Sequence, residues 1–216
     1  MIHISKMLLK HICKLAFRAI LLVVAIVNFN NAIIWIFWGA LVIEMLCRII
    51  PNKRVSIGAR KHFANSYAPM PDMVHDKKLH KGAFLSAIAW FLTTGSALFI
   101  LFLLDALTPA VVLIAALAFS VLDMLFIIFF CPFQKLFMQN HCCTECRIHN
   151  WDYFMMCAPL IIFPTVFSIS LFILATAVLL RWEFSVHKNP HFFTRKTNKN
   201  LHCDKCEDKL CHYKRS

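Results

Sequence analysis

Seven of the ten cysteines crowd into two short polar stretches of a chain that is 60% apolar. Cys131, Cys142, Cys143 and Cys146 form a Cys-x10-Cys-Cys-x2-Cys arrangement in FFCPFQKLFMQNHCCTECRIHNWD. Cys203, Cys206 and Cys211 lie in the tail sequence HCDKCEDKLCH. Thiolates two residues apart wrap a tight knuckle around a thiophilic metal, and each stretch supplies one such pair. His141, His149, Asp152, His202 and His212 stand close enough in sequence to serve as alternative ligands or to orient a ligating ring. Lys205, Lys209 and Arg147 favour the thiolate form and offset the negative charge of a cysteine site.

Each stretch alone is nearly a full site, and the two together would serve a shared one. Two thiolates from each satisfy zinc or a two-iron cluster, whereas three from the tail and one from the loop satisfy a four-iron cluster. The spacing does not reproduce the ferredoxin run of consecutive Cys-x2 steps. Zinc or an iron–sulfur cluster is therefore the expected cofactor, with structural disulfides as the rival if the stretches face an oxidising compartment. Cys13, Cys47 and Cys157 sit in or beside apolar runs and read as small packing residues.

The elements that must carry these cysteines are membrane helices. WIFWGALVIEMLC, AFLSAIAWFLTTGSALFILFLL, AVVLIAALAFSVLDMLFIIFF and APLIIFPTVFSISLFILATAVLL each approach or exceed the length needed to cross roughly 30 Å of hydrocarbon. The fold class is accordingly an all-α polytopic integral membrane protein, built of helical hairpins with a cysteine-rich metal module close to the membrane. Lys6, Lys10 and Lys14 before an apolar core resemble a signal peptide, but no small-residue cleavage site follows, so a retained first helix is expected.

Six segments follow. Residues 1–50 form a first transmembrane hairpin, with helices at about 8–27 and 31–49 and a tip at Asn28, Asn30 and Asn31, residues that cap and turn readily. Residues 51–82 form a basic cytoplasmic loop, and 83–130 a second hairpin broken at Asp105 and Pro109. Residues 131–153 are the cysteine-rich loop and 181–216 the basic cysteine-rich tail. Between them, 154–180 carry Pro159 and Pro164 and form either a fifth span or a re-entrant segment turning near Pro164 and Thr165.

The formal net charge is +12, and the N-terminus, the 51–82 loop, the cysteine loop and the tail hold nearly all of the Lys and Arg, whereas the turns at 28–31 and 105–109 hold none. This asymmetry predicts a cytoplasmic N-terminus in a bacterial inner membrane. It also explains the basicity by topology and anionic lipid, so no specific nucleic acid is expected. A protein partner at the cytoplasmic cysteine-rich face is.

Two acids fall within predicted spans. Glu44 is expected to pair with Arg48 one turn on. Asp123 has no cation in sight at its depth and should be protonated and bonded to a hydroxyl such as Ser120 or Thr93. It is the candidate intramembrane functional acid, the residue a proton-coupled transporter would use. Trp151 and Tyr153 read as interfacial anchors, or, with Arg147, His149, Asn150 and Asp152, as part of a polar pocket against the cysteines. Phosphate-binding loops, His-Glu-x-x-His helices and Gly-x-Ser-x-Gly elbows are missing from the sequence, so turnover has no direct support and a non-enzymatic accessory or assembly subunit is the leading expectation. A membrane electron-transfer protein carrying an iron–sulfur cluster is the alternative.

Overall fold

A computed structural model describes residues 5–50, 77–138, 148–194 and 196–202. Among these the fold is all helical. The main helices are α1 (Lys6–Val27), α2 (Asn31–Ile49), α3 (Lys77–Leu103), α4 (Pro109–Ile128), α5 (Ile148–Cys157) and α6 (Val166–Lys188). Local chemistry sets their limits. The side chains of Ser5, Asn30, Thr108 and Thr165 accept from backbone N–H groups in the first turns of α1, α2, α4 and α6. Pro109 occupies the first turn of α4, where its missing N–H costs no helical bond.

Four helices are long and apolar enough to cross a membrane: α2, α3 from Lys81 onward, α4 and α6. The first helix is of similar length, but Lys6, Lys10, Lys14 and Arg18 recur at every fourth position from its start. It lies against α4, with Met7 and Leu8 packed on Ile128. Helix α3 already runs from Lys77, inside the 51–82 stretch expected as a loop, and residues 51–76 lie outside the described residues.

The last apolar stretch is not one helix. Its leading leg starts at Ile148 rather than near 154, becomes a 3-10 helix over Ala158–Ile162, and ends at Phe163. Pro164 cannot donate to a continuing helix, and Thr165 and Ser168 form a reciprocal capping box that starts α6 in a new direction. The two legs then run antiparallel, and the Trp151 ring nitrogen near the start of α5 donates to Glu183 near the end of α6 at 2.9 Å.

The core follows from helical stripes. Ile33, Phe37, Leu41 and Met45 on α2 face Leu171, Ala175, Val178 and Trp182 on α6, while Val112, Ala116 and Leu117 on α4 close the cluster. The alanines let backbones approach, which matters where lipid offers no hydrophobic drive between helices. At the far end Trp35 packs edge-on against Phe167 at 4.4 Å between ring centroids, and Trp38 donates to the Ser170 hydroxyl at 2.9 Å. Most large side chains of α3 stay exposed, among them Phe84, Phe91, Leu92, Phe99 and Phe102, as suits a helix facing lipid.

One glycine is dictated by close approach. A Cβ on Gly82 would stand 2.5 Å from the Phe137 carbonyl oxygen, in the short π-helical turn Gln134–Met138 that follows α4. Gly82→Ala should therefore push α3 off that turn and lower unfolding stability in detergent by about 1–3 kcal/mol. Gly39 and Gly95, which have open space around the same position, serve as controls expected to be unaffected by steric crowding. Equal tolerance at all three would remove this packing argument.

Candidate functional site

The turns at 28–30, 104–108 and 163–165 share one end of the bundle, and the start of α1, end of α2, end of α4, start of α5 and end of α6 share the other. Charged side chains from four helices meet just inside this second end. Arg18 of α1 donates through Nη2 to Glu44 of α2 at 2.5 Å and through Nη1 to the Ser120 carbonyl of α4 at 2.8 Å. The same Nη1 lies 3.7 Å from the carboxylate of Asp123. Lys14, one turn before Arg18, reaches the other oxygen of Glu44 at 3.3 Å.

A second pair sits beside the first. Arg48 Nη1 donates to both oxygens of Asp152 on α5 at 2.8 and 2.7 Å. Its guanidinium lies 4.9 Å from the centre of the Tyr153 ring and 5.9 Å from that of Trp182. The Tyr153 hydroxyl donates to Glu44 at 3.0 Å and joins the two pairs into one network. Three cations thus face three carboxylates, and both arginines and Asp152 are buried. In hydrocarbon such charges persist only when paired, so the network fixes four helices in one mutual arrangement.

Several sequence expectations change here. Glu44 and Arg48 do not pair with each other, because each finds a closer partner on another helix. Asp123 does have a cation at its depth, Arg18, and it bonds to neither expected hydroxyl. Ser120 donates to the Leu117 carbonyl and Thr93 to the Ala89 and Trp90 carbonyls, each staying within its own helix. Tyr153 is buried within the bundle, and the part-buried Trp151 donates to Glu183. Asp152 pairs with Arg48 of α2, a partner its sequence neighbours do not reveal.

Two cavities meet at this network. One, of about 270 Å³, lies between α3, α4 and α5 and is walled mainly by Trp90, Phe119, Phe126, Met155 and Met156. The other, of about 470 Å³, lies among α1, α2 and α4 and is lined by Lys10, His11, Lys14, Glu44 and Arg48. Asp123 and Asp152 line both. Cys131, just beyond α4, is half-buried and borders the first cavity, while Cys13 and Cys47 border the second. Cys157 packs in the main core, and no disulfide joins these four cysteines.

Among the described residues no three His, Cys, Asp or Glu side chains gather as a metal site. Cys142, Cys143, Cys146, Cys203, Cys206, Cys211, His141 and His212 lie outside the described residues, as does the side chain of His149. The segments flanking them are nonetheless well placed. After α6 the tail turns back, setting Phe193 edge-on against Trp182 and burying Thr197, Asn198 and Leu201. The Thr197 hydroxyl bonds the His191 carbonyl, and the Asn198 amide donates to the Phe192 carbonyl at 2.8 Å. His202, partly buried, follows directly.

The chain matches no known family model, no characterised protein and no solved structure.

Proposed function

We propose that this polytopic membrane protein is a non-enzymatic accessory or assembly module. In this reading Cys131, Cys142, Cys143 and Cys146 act with Cys203, Cys206 and Cys211 to hold a zinc ion or an iron–sulfur cluster at its basic end. The metal ties the tail to the loop between α4 and α5 and shapes a face for a protein partner. That face is cytoplasmic in a bacterial inner membrane, because the basic residues gather at this end and the opposite turns carry none.

One observation carries the reading. The residues leading out of the cysteine loop and those leading into the cysteine tail converge on the same few side chains of α6: Trp151 bonds Glu183, and Phe193 packs on Trp182. Cys146 lies two residues before α5, and Cys203 two residues after the buried Leu201. A shared site needs both stretches at one end of the bundle, and their anchors meet there. Pooling thiolates from both stretches offers a fuller tetrahedral set than the three of the tail alone.

Anaerobic purification in detergent, followed by an absorption spectrum and analysis for zinc, iron and sulfide, tests this directly. A colourless protein with about one zinc per chain is expected for a tetrahedral thiolate site. Serine at Cys203 and Cys206 together should then cost most of the metal, and so should serine at Cys143 and Cys146. Iron with matching sulfide and a broad band near ~400 nm would instead assign the electron-transfer alternative. Protein free of metal under these conditions would overturn the reading.

A further inference from the structure

The apolar cavity between α3, α4 and α5 borders the proposed metal site at Cys131, but the rest of its lining points to a ligand of its own. Its walls are aromatic and sulfur-bearing side chains: Trp90, Phe119, Phe126, Phe133, Met155 and Met156. Only two ionisable carboxyl groups line it, Asp123 and Asp152. Its volume of about 270 Å³ is close to the lower bound of small-molecule sites, which pair apolar walls with a few fixed polar groups.

The two carboxylates differ in what they have left to offer. Both oxygens of Asp152 accept from Arg48, and one also accepts from the Tyr153 N–H at 2.7 Å. Asp123 accepts no hydrogen bond from any described residue, and the nearest cation among them is Arg18 at 3.7 Å. That guanidinium is already engaged by Glu44 at 2.5 Å and the Ser120 carbonyl at 2.8 Å. A carboxylate that is mostly buried and has unused acceptor capacity gains most from a donor that brings positive charge.

Depth adds a direction. Asp123 lies five residues before the end of α4, about 7.5 Å along the helix axis, whereas Phe119 and Trp90 lie further toward the bundle's middle. An amphiphile in that leaflet, with its head near the interface and its chain inward, runs in the same sense as the cavity. We propose that the cavity between α3, α4 and α5 binds a membrane amphiphile with an ammonium head, which bonds Asp123 while its apolar chain lies against Phe119, Leu122, Phe126 and Met156. An anionic head is rejected because it would meet the two carboxylates first.

Full-length protein in nanodiscs of phosphatidylcholine, challenged with a diazirine-bearing dodecylamine and then photolysed and mapped by mass spectrometry, tests the proposal. Cross-links should fall on cavity residues such as Phe126 and Met156. The matching dodecanoic acid should label them at least about tenfold less, the margin of a charge-assisted hydrogen bond. Asp123→Asn should reduce amine labelling by a similar factor. Leu122→Trp, which fills the cavity and leaves the charged network intact, should abolish it. Competition by phosphatidylethanolamine would identify the head as a lipid amine, and its absence alongside strong amine labelling would identify a free single-chain amine. Equal labelling by amine and acid, unchanged labelling in Asp123→Asn, or cross-links confined to lipid-facing positions such as Phe91 would overturn the proposal. Metal content plays no part in these readouts.

Discussion

Alanine in place of Arg48 should lower the unfolding free energy in detergent by about 3–5 kcal/mol, the cost of stripping one partner from a buried ion pair. The Arg48 side chain is 7% exposed and its Nη1 serves both oxygens of Asp152. Its removal leaves a buried carboxylate without its cation, and also vacates the space between Tyr153 and Trp182. Lysine should not rescue the site, because a compact ammonium on a flexible stem loses the planar contact with both rings. The decisive comparison is the cycle of Arg48→Met, Asp152→Leu and the double variant. If the pair is the source of the loss, the double variant is more stable than Arg48→Met, with a coupling energy of roughly 0.5–3 kcal/mol or above. Additive losses would mean that Arg48 acts through packing and not through Asp152.

This pair also marks how far the sequence could be read. The apolar blocks and their breaks are local features. Asn30 and Thr108 cap through their own side chains, Asn28 closes α1 through its backbone N–H and Pro109 takes the first turn of α4, so the helix limits there follow from a few adjacent residues. Charge partners are not local. Spacing alone makes Glu44 and Arg48 neighbours on one helix, but packing brings Arg18 to Glu44 from the preceding helix and Asp152 to Arg48 from far along the chain. An exposed i, i+4 pair gains only tenths of a kcal/mol, and a buried cross-helix pair easily displaces it. Arg18 itself hides in a run of N-terminal basic residues that resembles the usual positive flank of a first helix. Its spacing of four from Lys14 was the available signal, since both then face α2.

The same reasoning explains the early start of α5. His149, Asn150 and Asp152 make the stretch before 154 look like loop, yet Asp152, Trp151 and Tyr153 each have a polar partner on another helix. Polar residues with distant partners are compatible with a buried helix, and a one-dimensional hydropathy pattern cannot see those partners. The metal reading rests on the reverse situation. Its residue types and spacings are plain in the sequence, and the described structure contributes the anchors on either side of them.

Methionine at Arg18 should be as damaging as alanine at Arg48, with about 3–5 kcal/mol lost, while Lys14→Ala should cost less than about 1 kcal/mol. The two residues reach the same carboxylate, Glu44, and sit one turn apart on α1. They differ in burial: the Arg18 side chain is 5% exposed and that of Lys14 is 39%. Water can solvate Glu44's outer oxygen when Lys14 is gone, but nothing among the described residues replaces the guanidinium that serves Glu44, Asp123 and the Ser120 carbonyl together. Adding Glu44→Gln to Arg18→Met should recover part of the loss, because it removes one of the two stranded carboxylates. Adding Asp123→Asn as well should recover more, since the second is then neutral too. This graded recovery, measured by unfolding in the same detergent, separates a charge network from a set of unrelated contacts. Were Lys14→Ala to match Arg18→Met, or the added substitutions to deepen the loss, the network would not be the element that fixes α1 against α2 and α4.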